Sequence, residues 1–308
     1  MSAKQLTRLV VALVVALGLW GAFAFARRSH TDRDTGFALP TIDTSAVDTM
    51  AFVTGPDSIV AVRRPDAGWR VNGHPAATSM VDQALAALVD TSNWSELAAH
   101  STASEAAMGV SADSGQRVRI AVKGGRGLDL VTGHHTGDGT GVFIRRPSDS
   151  AVYALHGPLS QAVGHTLTDW RDKTVVSVLP DSIRRVEIEH RGTRYALVRA
   201  GRDWRLTSGA VADSQAVAQL LGRFHPLSAT GFATRAQADS LHFSHPVARV
   251  RMYAGRAAPV VDLAFDSTNA YAWARADSGA TVYEIESWRL DELVPAEKTL
   301  RKGTTKAR

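Results

Sequence analysis

The chain has 308 residues, 44% of them apolar and 21% charged, with a formal charge of +5 and no cysteine. That is enough apolar residues for one or two folded cores, and it excludes disulfides, thiolate metal sites and a cysteine nucleophile. Much of the positive charge is terminal: Lys4, Arg8, Arg27 and Arg28 flank an apolar run, and Lys298, Arg301, Lys302, Lys306 and Arg308 lie near the C-terminus. Elsewhere the signs nearly balance, so no nucleic-acid footprint is expected.

Residues 9–26 are uncharged and mostly apolar, LVVALVVALGLWGAFAFA. As a helix this run is about 27 Å long, enough to cross a bilayer core. Ala24-Phe25-Ala26 also fits a signal-peptide cleavage site, but the run is long for that purpose and stays apolar up to its arginine flank. The expectation is an N-terminal membrane anchor over residues 1–28, containing one transmembrane helix. The short N-terminus would lie inside and the large domain outside the cytoplasm, at the inner membrane. Residues 29–45, rich in Thr, Asp, Arg and Gly, read as a linker.

The first repeat unit is expected over residues 46–168. Apolar segments on either side of Gly55-Pro56-Asp57-Ser58 form a hairpin, and Pro65-Asp66-Ala67-Gly68 turns the chain into a third strand at Trp69. Thr78 or Ser79 is the expected cap of a helix whose Val81, Ala84, Leu85 and Leu88 share one face. After an irregular stretch around Trp94, four strands follow at 118–122, 128–131, 142–145 and 151–155. Gly- or Pro-containing turns separate them, which implies antiparallel neighbours.

A connector at residues 169–182 leads to a second unit over residues 183–296, followed by a basic tail at 297–308. The second unit repeats the order of the first. Trp204 answers Trp69, and Asp213 caps a helix with Val217, Leu220, Leu221 and Phe224 on one face. Arg249-Val250-Arg251-Met252 answers Arg117-Val118-Arg119-Ile120, and Val282-Tyr283 answers Val152-Tyr153. The offset between such pairs stays between 129 and 136 residues, which implies duplication. The expected class is α+β: two tandem duplicated units, each a mostly antiparallel sheet with a helix packed on one face.

The candidates for chemistry are weak. His134-His135 are adjacent, so on an extended segment they point to opposite sides and do not share one ion. His242 and His245 have helical spacing, but Pro246 disfavours a helix at His245. Gly124-Gly125-Arg126-Gly127 and Gly137-Asp138-Gly139-Thr140-Gly141 lie between strands, whereas a phosphate cradle opens a helix. Asp262 and Asp266, and Glu284 and Glu286, alternate with apolar residues as on a solvated sheet face. Trp69 and Trp204 are expected in cores, and Trp170 and Trp288 at the surface or between units. No catalytic, metal-ligating or cofactor-binding residue is assigned.

The N-terminal span, the strand–turn–Trp signatures at Gly68-Trp69 and Asp203-Trp204, and the helix after each carry a resemblance. So do Met108-Gly109-Val110, Phe243-Ser244-His245-Pro246, Leu130-Val131-Thr132-Gly133 with its Gly-rich loop before Val142-Phe143-Ile144, and Val152-Tyr153. Together these resemble the bacterial domain-of-unknown-function 4340 family, most strongly from Val47 to about Thr207. One departure is that Met108-Gly109-Val110 lacks the family's aromatic residue and close-following proline. The resemblance implies a single-pass membrane protein, in some members encoded with ABC-type transport or gliding-motility systems, and it assigns no site residue. The expected function is therefore a non-enzymatic scaffold or accessory of a transport or envelope complex, held to the membrane by residues 9–26. An envelope glycan- or peptide-binding module using the loop at 133–141 is the alternative, and an unrecognised hydrolase the second.

Overall fold

Strand β1 (Val47–Thr54) turns through Gly55-Pro56 into β2 (Asp57–Arg64), with Thr54 paired to Asp57. Gly55 has φ +55°, the left-handed value that a two-residue hairpin loop requires at its first position. The coordinates are a computed structural model that describes residues 36–302, apart from 126, 269, 270, 277 and 278. The expected membrane helix at residues 9–26 lies outside the described residues. Among the described residues no helix is long and apolar enough to cross a membrane.

The chain divides into two compact units between Arg171 and Asp172. In the first, β3 (Gly68–Val71) and β4 (His74–Pro75) complete a meander with β1 and β2, and helix α1 (Thr78–Val89) follows. Then come β5 (Trp94–Ala99), helix α2 (Thr102–Ala107), β6 (Gln116–Val122), β7 (Leu128–His135), β8 (Gly141–Arg145) and β9 (Val152–His156). Two short helices, α3 (Pro158–Gln161) and α4 (Leu167–Trp170), close the unit. All strand pairs are antiparallel, in the order β4-β3-β2-β1-β6-β7-β8-β9-β5.

The second unit holds β10 (Thr174–Val176), β11 (Arg185–His190), β12 (Thr193–Ala200), β13 (Asp203–Leu206) and helix α5 (Ser214–Gly222). After these come β14 (Leu227–Ser228), β15 (Gly231–Phe232), helix α6 (Arg235–Ser240), β16 (Ala248–Tyr253), β17 (Val261–Ser267), β18 (Ala272–Ala276), β19 (Tyr283–Ile285) and helix α7 (Ser287–Leu293). Its main sheet has the order β13-β12-β11-β16-β17-β18-β19-β15, matching the first sheet strand for strand except for β4. The protein is thus α+β, with two large antiparallel sheets.

In each unit the main helix packs on one sheet face. Val81, Ala84, Ala87 and Leu88 of α1 join Met50, Ile120, Leu130 and Ile144, and Val217, Leu220 and Leu221 of α5 join Ile188, Val250, Leu263 and Phe265. Each such large side chain, fully buried, contributes about 1.5–3 kcal/mol. The cap of α1 is Ala77, with no side-chain cap bond, rather than Thr78 or Ser79. Its N–H donates instead to the Trp170 carbonyl at 2.8 Å, so the helix start is set by chain returning from the end of the unit. The same clasp recurs in the second unit, where the Asp213 N–H donates to the Leu300 carbonyl at 2.8 Å. Asp213 also caps α5 as expected, accepting from the Gln215 and Ala216 N–H groups.

Trp170 corrects an expectation. It is 1% exposed and lies 5.0 Å from the Phe52 ring, in the core of the first unit. A reciprocal Thr166–Asp169 capping box starts the one-turn helix that carries it inward.

Candidate functional site

Alternation along β11, β16 and β17 sends Val186, Ile188, Val250, Met252 and Leu263 into the core. It leaves Arg185, Glu187, Glu189, Arg249, Arg251 and Asp262 on the opposite face, beside an open groove of about 340 Å³. There Arg249 donates through Nε and Nη2 to the two Asp262 oxygens, both at 2.6 Å, and Arg251 Nε reaches Asp262 at 3.4 Å. Glu187 accepts from the Tyr253 hydroxyl at 2.8 Å and pairs with Arg185 at 3.1 Å, while Glu189 pairs with Arg194 at 2.8 Å. Burial pushes the Asp262 pKa up, but the Arg249 fork and the two arginine charges outweigh it and hold the carboxyl below its usual range. Tyr195, at the groove wall, donates to the Pro295 carbonyl, and its own pKa is raised by burial and then by Glu297.

The first unit has the same fork. Arg117 donates to Asp129 at 2.9 and 2.8 Å, and the hydrogen bonds lower the Asp129 pKa. In both units the carboxylate oxygens are engaged by guanidinium groups and kept ionised. Such a carboxylate is a strut between strands, poorly suited to accept a proton in a reaction.

The outer face of each sheet also carries a second, small core. In the first unit Val110, Val131 and Val152 are buried with Met108 and Phe143 packed against them. In the second, Phe243, Ala264, Trp273 and Val282 form the equivalent cluster, with Ala238 of α6 and Leu241 just after it packed against them. An arginine grips each cover. Arg145 donates through Nε and Nη2 to the Val110 carbonyl, with Glu105 of α2 3.6 Å away, and Arg275 lies 4.5 Å above the Phe243 ring.

The sequence candidates fall out as follows. His134 and His135 end strand β7 rather than lying in the loop; the His134 N–H donates to the Met108 carbonyl, and His135 Nδ1 is 3.2 Å from the Gly141 carbonyl. His242 is not helical, and its N–H donates to Asp266 at 2.7 Å. The glycine stretches at 124–127 and 137–141 both connect neighbouring strands. Within the second, Asp138 accepts from the Thr136 and Thr140 hydroxyls and the Thr140 N–H, which together lower its pKa. Glu284 accepts from the Thr230 hydroxyl at 3.5 Å, and Glu286 pairs with Arg289 at 3.9 Å. Trp204 is buried, Trp69 is half-buried against the core of the first unit, and Trp288 is exposed. Among the described residues no three of His, Asp and Glu converge to hold an ion.

Two features escaped the sequence reading. Trp94, 55% exposed, lies flat on the buried His156 ring, with centroids 4.2 Å apart and planes at 11°. The Thr140 hydroxyl proton goes to Asp138, so the Nδ1 of His156, 3.1 Å away, carries the ring proton. Its Nε2 is buried with no hydrogen-bond partner among the described residues, 3.7 Å from Glu96. Beside Trp94 runs a groove of about 400 Å³, between residues 37–42 ahead of β1 and residues 88–94 at and after the end of α1. Its rim carries Val89, 49% exposed.

Comparison with known families gives one match. The family model described as Domain of unknown function (DUF4340) covers residues 42–246, spanning the whole sheet of the first unit and the second unit up to the segment before β16. No curated protein and no solved structure matches the chain.

Proposed function

We propose that this chain, which belongs to the DUF4340 family, is a single-pass membrane protein. Its two units are copies of one ancestral domain and stand outside the cytoplasm as a scaffold for a transport or envelope complex. The observation that carries the reading is the uncharged run at residues 9–26, which ends ten residues before Gly36, where the described part of the first unit begins. The duplication is supported by the common strand order, the paired Arg–Asp forks and the repeated clasp of Trp170 and Leu300 on the main helices. A scaffold role is favoured by sheet faces on which the Arg117–Asp129 and Arg249–Asp262 forks tie neighbouring strands together and occupy the carboxylates.

The absence of cysteine makes the test direct. Single cysteines at Ser2 and Asp57 are labelled with an impermeant maleimide in intact spheroplasts. Asp57→Cys is expected to react at once and Ser2→Cys only after permeabilisation. The opposite pattern, or release of the protein by carbonate, would overturn the anchor and its topology. Isolation of the full chain in mild detergent is expected to bring down a membrane-transport or envelope component. A monomer without such a partner would overturn the scaffold role.

A further inference from the structure

Besides β4, the two units differ ahead of their first long strand. Ahead of β11, strand β10 pairs with β14, matching Thr174 to Ser228 and Val176 to Leu227. The Ala229 N–H also donates to the Lys173 carbonyl at 2.8 Å. The offset of 136 that relates Val81 to Val217 puts Pro40 at the position of Val176 and Thr91 at that of Leu227. No ribbon forms in the first unit, where residues 36–43 are neither strand nor bridge.

The sequence explains the difference. Pro40 has no N–H to donate to a ladder. The segment after α1 folds on itself instead: Asp90 accepts from the Ser92 N–H and hydroxyl at 2.8 and 2.6 Å, and Asn93 Nδ2 donates to the Ala87 and Asp90 carbonyls. What is a closed ribbon in the second unit is therefore an open groove of about 400 Å³ in the first, lined by Leu39, Pro40, Leu88, Val89 and Trp94. Its one charged lining residue is Asp90, already held by Ser92.

Residues 37–42 form one wall of this groove. Nine residues lie between Ala26 and Gly36, ten steps along the chain that span at most about 33–36 Å when fully extended. A chain anchored by residues 9–26 therefore keeps Gly36, next to the groove wall, within about 36 Å of the end of the span, so the groove can reach the lipid headgroups. Exposed tryptophan beside aliphatic side chains suits the boundary between headgroups and acyl chains.

We infer that this groove, with Val89 and Trp94 on its rim, is the face on which the first unit rests against the lipid bilayer. The inference depends on the anchor proposed above. Because the lining carries little charge, contact should not depend on anionic lipid.

The test uses the full chain in nanodiscs, with an environment-sensitive fluorophore on a single cysteine and lipids carrying a quencher near the headgroup. Val89→Cys and Thr91→Cys report on the groove. Asp57→Cys, paired across the hairpin turn with Thr54 at the far end of β1 and on the order of 25 Å from Val47, is the control. Quenching about threefold stronger at both groove positions than at Asp57 is expected for a site lying within about 5–10 Å of the acyl boundary, in phosphatidylcholine and phosphatidylglycerol alike. Equal quenching at all three positions, or enhancement in phosphatidylglycerol alone, would overturn the inference and leave the anchor standing. A chain that fails to enter the nanodiscs would overturn both.

Discussion

Arg145 on β8 holds the carbonyl of Val110, 35 residues earlier, through Nε at 3.1 Å and Nη2 at 3.0 Å, and it is buried while doing so. This contact fastens the segment after α2 onto the outer face of the first sheet. Arg145→Leu removes five charge-assisted hydrogen bonds, two to the Val110 carbonyl and three longer ones from Nη1 to the carbonyls of Arg146, Pro147 and Asp149, and it strands the neighbouring Glu105. The expected loss is about 2–4 kcal/mol, read by urea denaturation. Arg275→Leu, at the matching position, removes a stacking contact worth about 0.5–2 kcal/mol and should cost less. An equal loss at the two positions would contradict the difference in their contacts.

The tryptophans should rank by burial. Trp170→Ala and Trp204→Ala are each expected to cost about 3–5 kcal/mol, as large-to-small changes in packed cores do. Trp69→Ala, at a half-buried position, should cost about 1–3 kcal/mol on the same scale. Denaturation of the three variants checks the order, and a Trp69 loss as large as that of Trp204 would place its ring in the core.

The sequence made the repeated framework legible because local periodicity and burial agree there. Val217, Leu220, Leu221 and Phe224 lie on one expected face, and all four are buried. The hairpins around Gly55 and before Trp204 are read from turn residues a few positions apart. β5 was not legible: Trp94-Ser95-Glu96-Leu97-Ala98-Ala99 lies at a sheet edge, and none of its residues is fully buried. Nor could Trp170 be placed, since an adjacent arginine suggests surface while its position depends on the return of the chain to α1. The groove beside Trp94 depends on a ribbon that does not form. Only comparison of two folded units exposes it.

The Arg–Asp forks set an acid-side stability limit. The Asp262 and Asp129 pKa values are lowered in the folded protein, below the roughly 3.9 of an unfolded aspartate. The unfolded chain therefore binds protons first as pH falls, and the stabilisation is complete above about pH 5. It is lost as pH falls through about 4 towards the folded values. Denaturation at neutral pH and at about pH 3 should show that Asp262→Asn is less acid-sensitive than the natural chain, at the expense of stability at neutral pH. An unchanged pH dependence would mean that the fork does not contribute.

Gly109 lies in the segment that Arg145 fastens, with φ +70°, and a Cβ there would meet the His134 ring at 2.7 Å. Gly201, at the turn before Trp204, has a similar φ of +66°, but a Cβ there would meet nothing within 4 Å. Gly201→Ala therefore pays backbone strain alone, about 1 kcal/mol. Gly109→Ala adds a clash with an imidazole at the end of β7, whose own backbone N–H is tied to the Met108 carbonyl at 2.9 Å. The ring has little room to withdraw, so the total should reach about 2–4 kcal/mol. Comparing the two variants by urea denaturation isolates the steric part. If they lose the same amount, the His134 ring moves aside freely and the cover over Val131 is looser than its packing indicates.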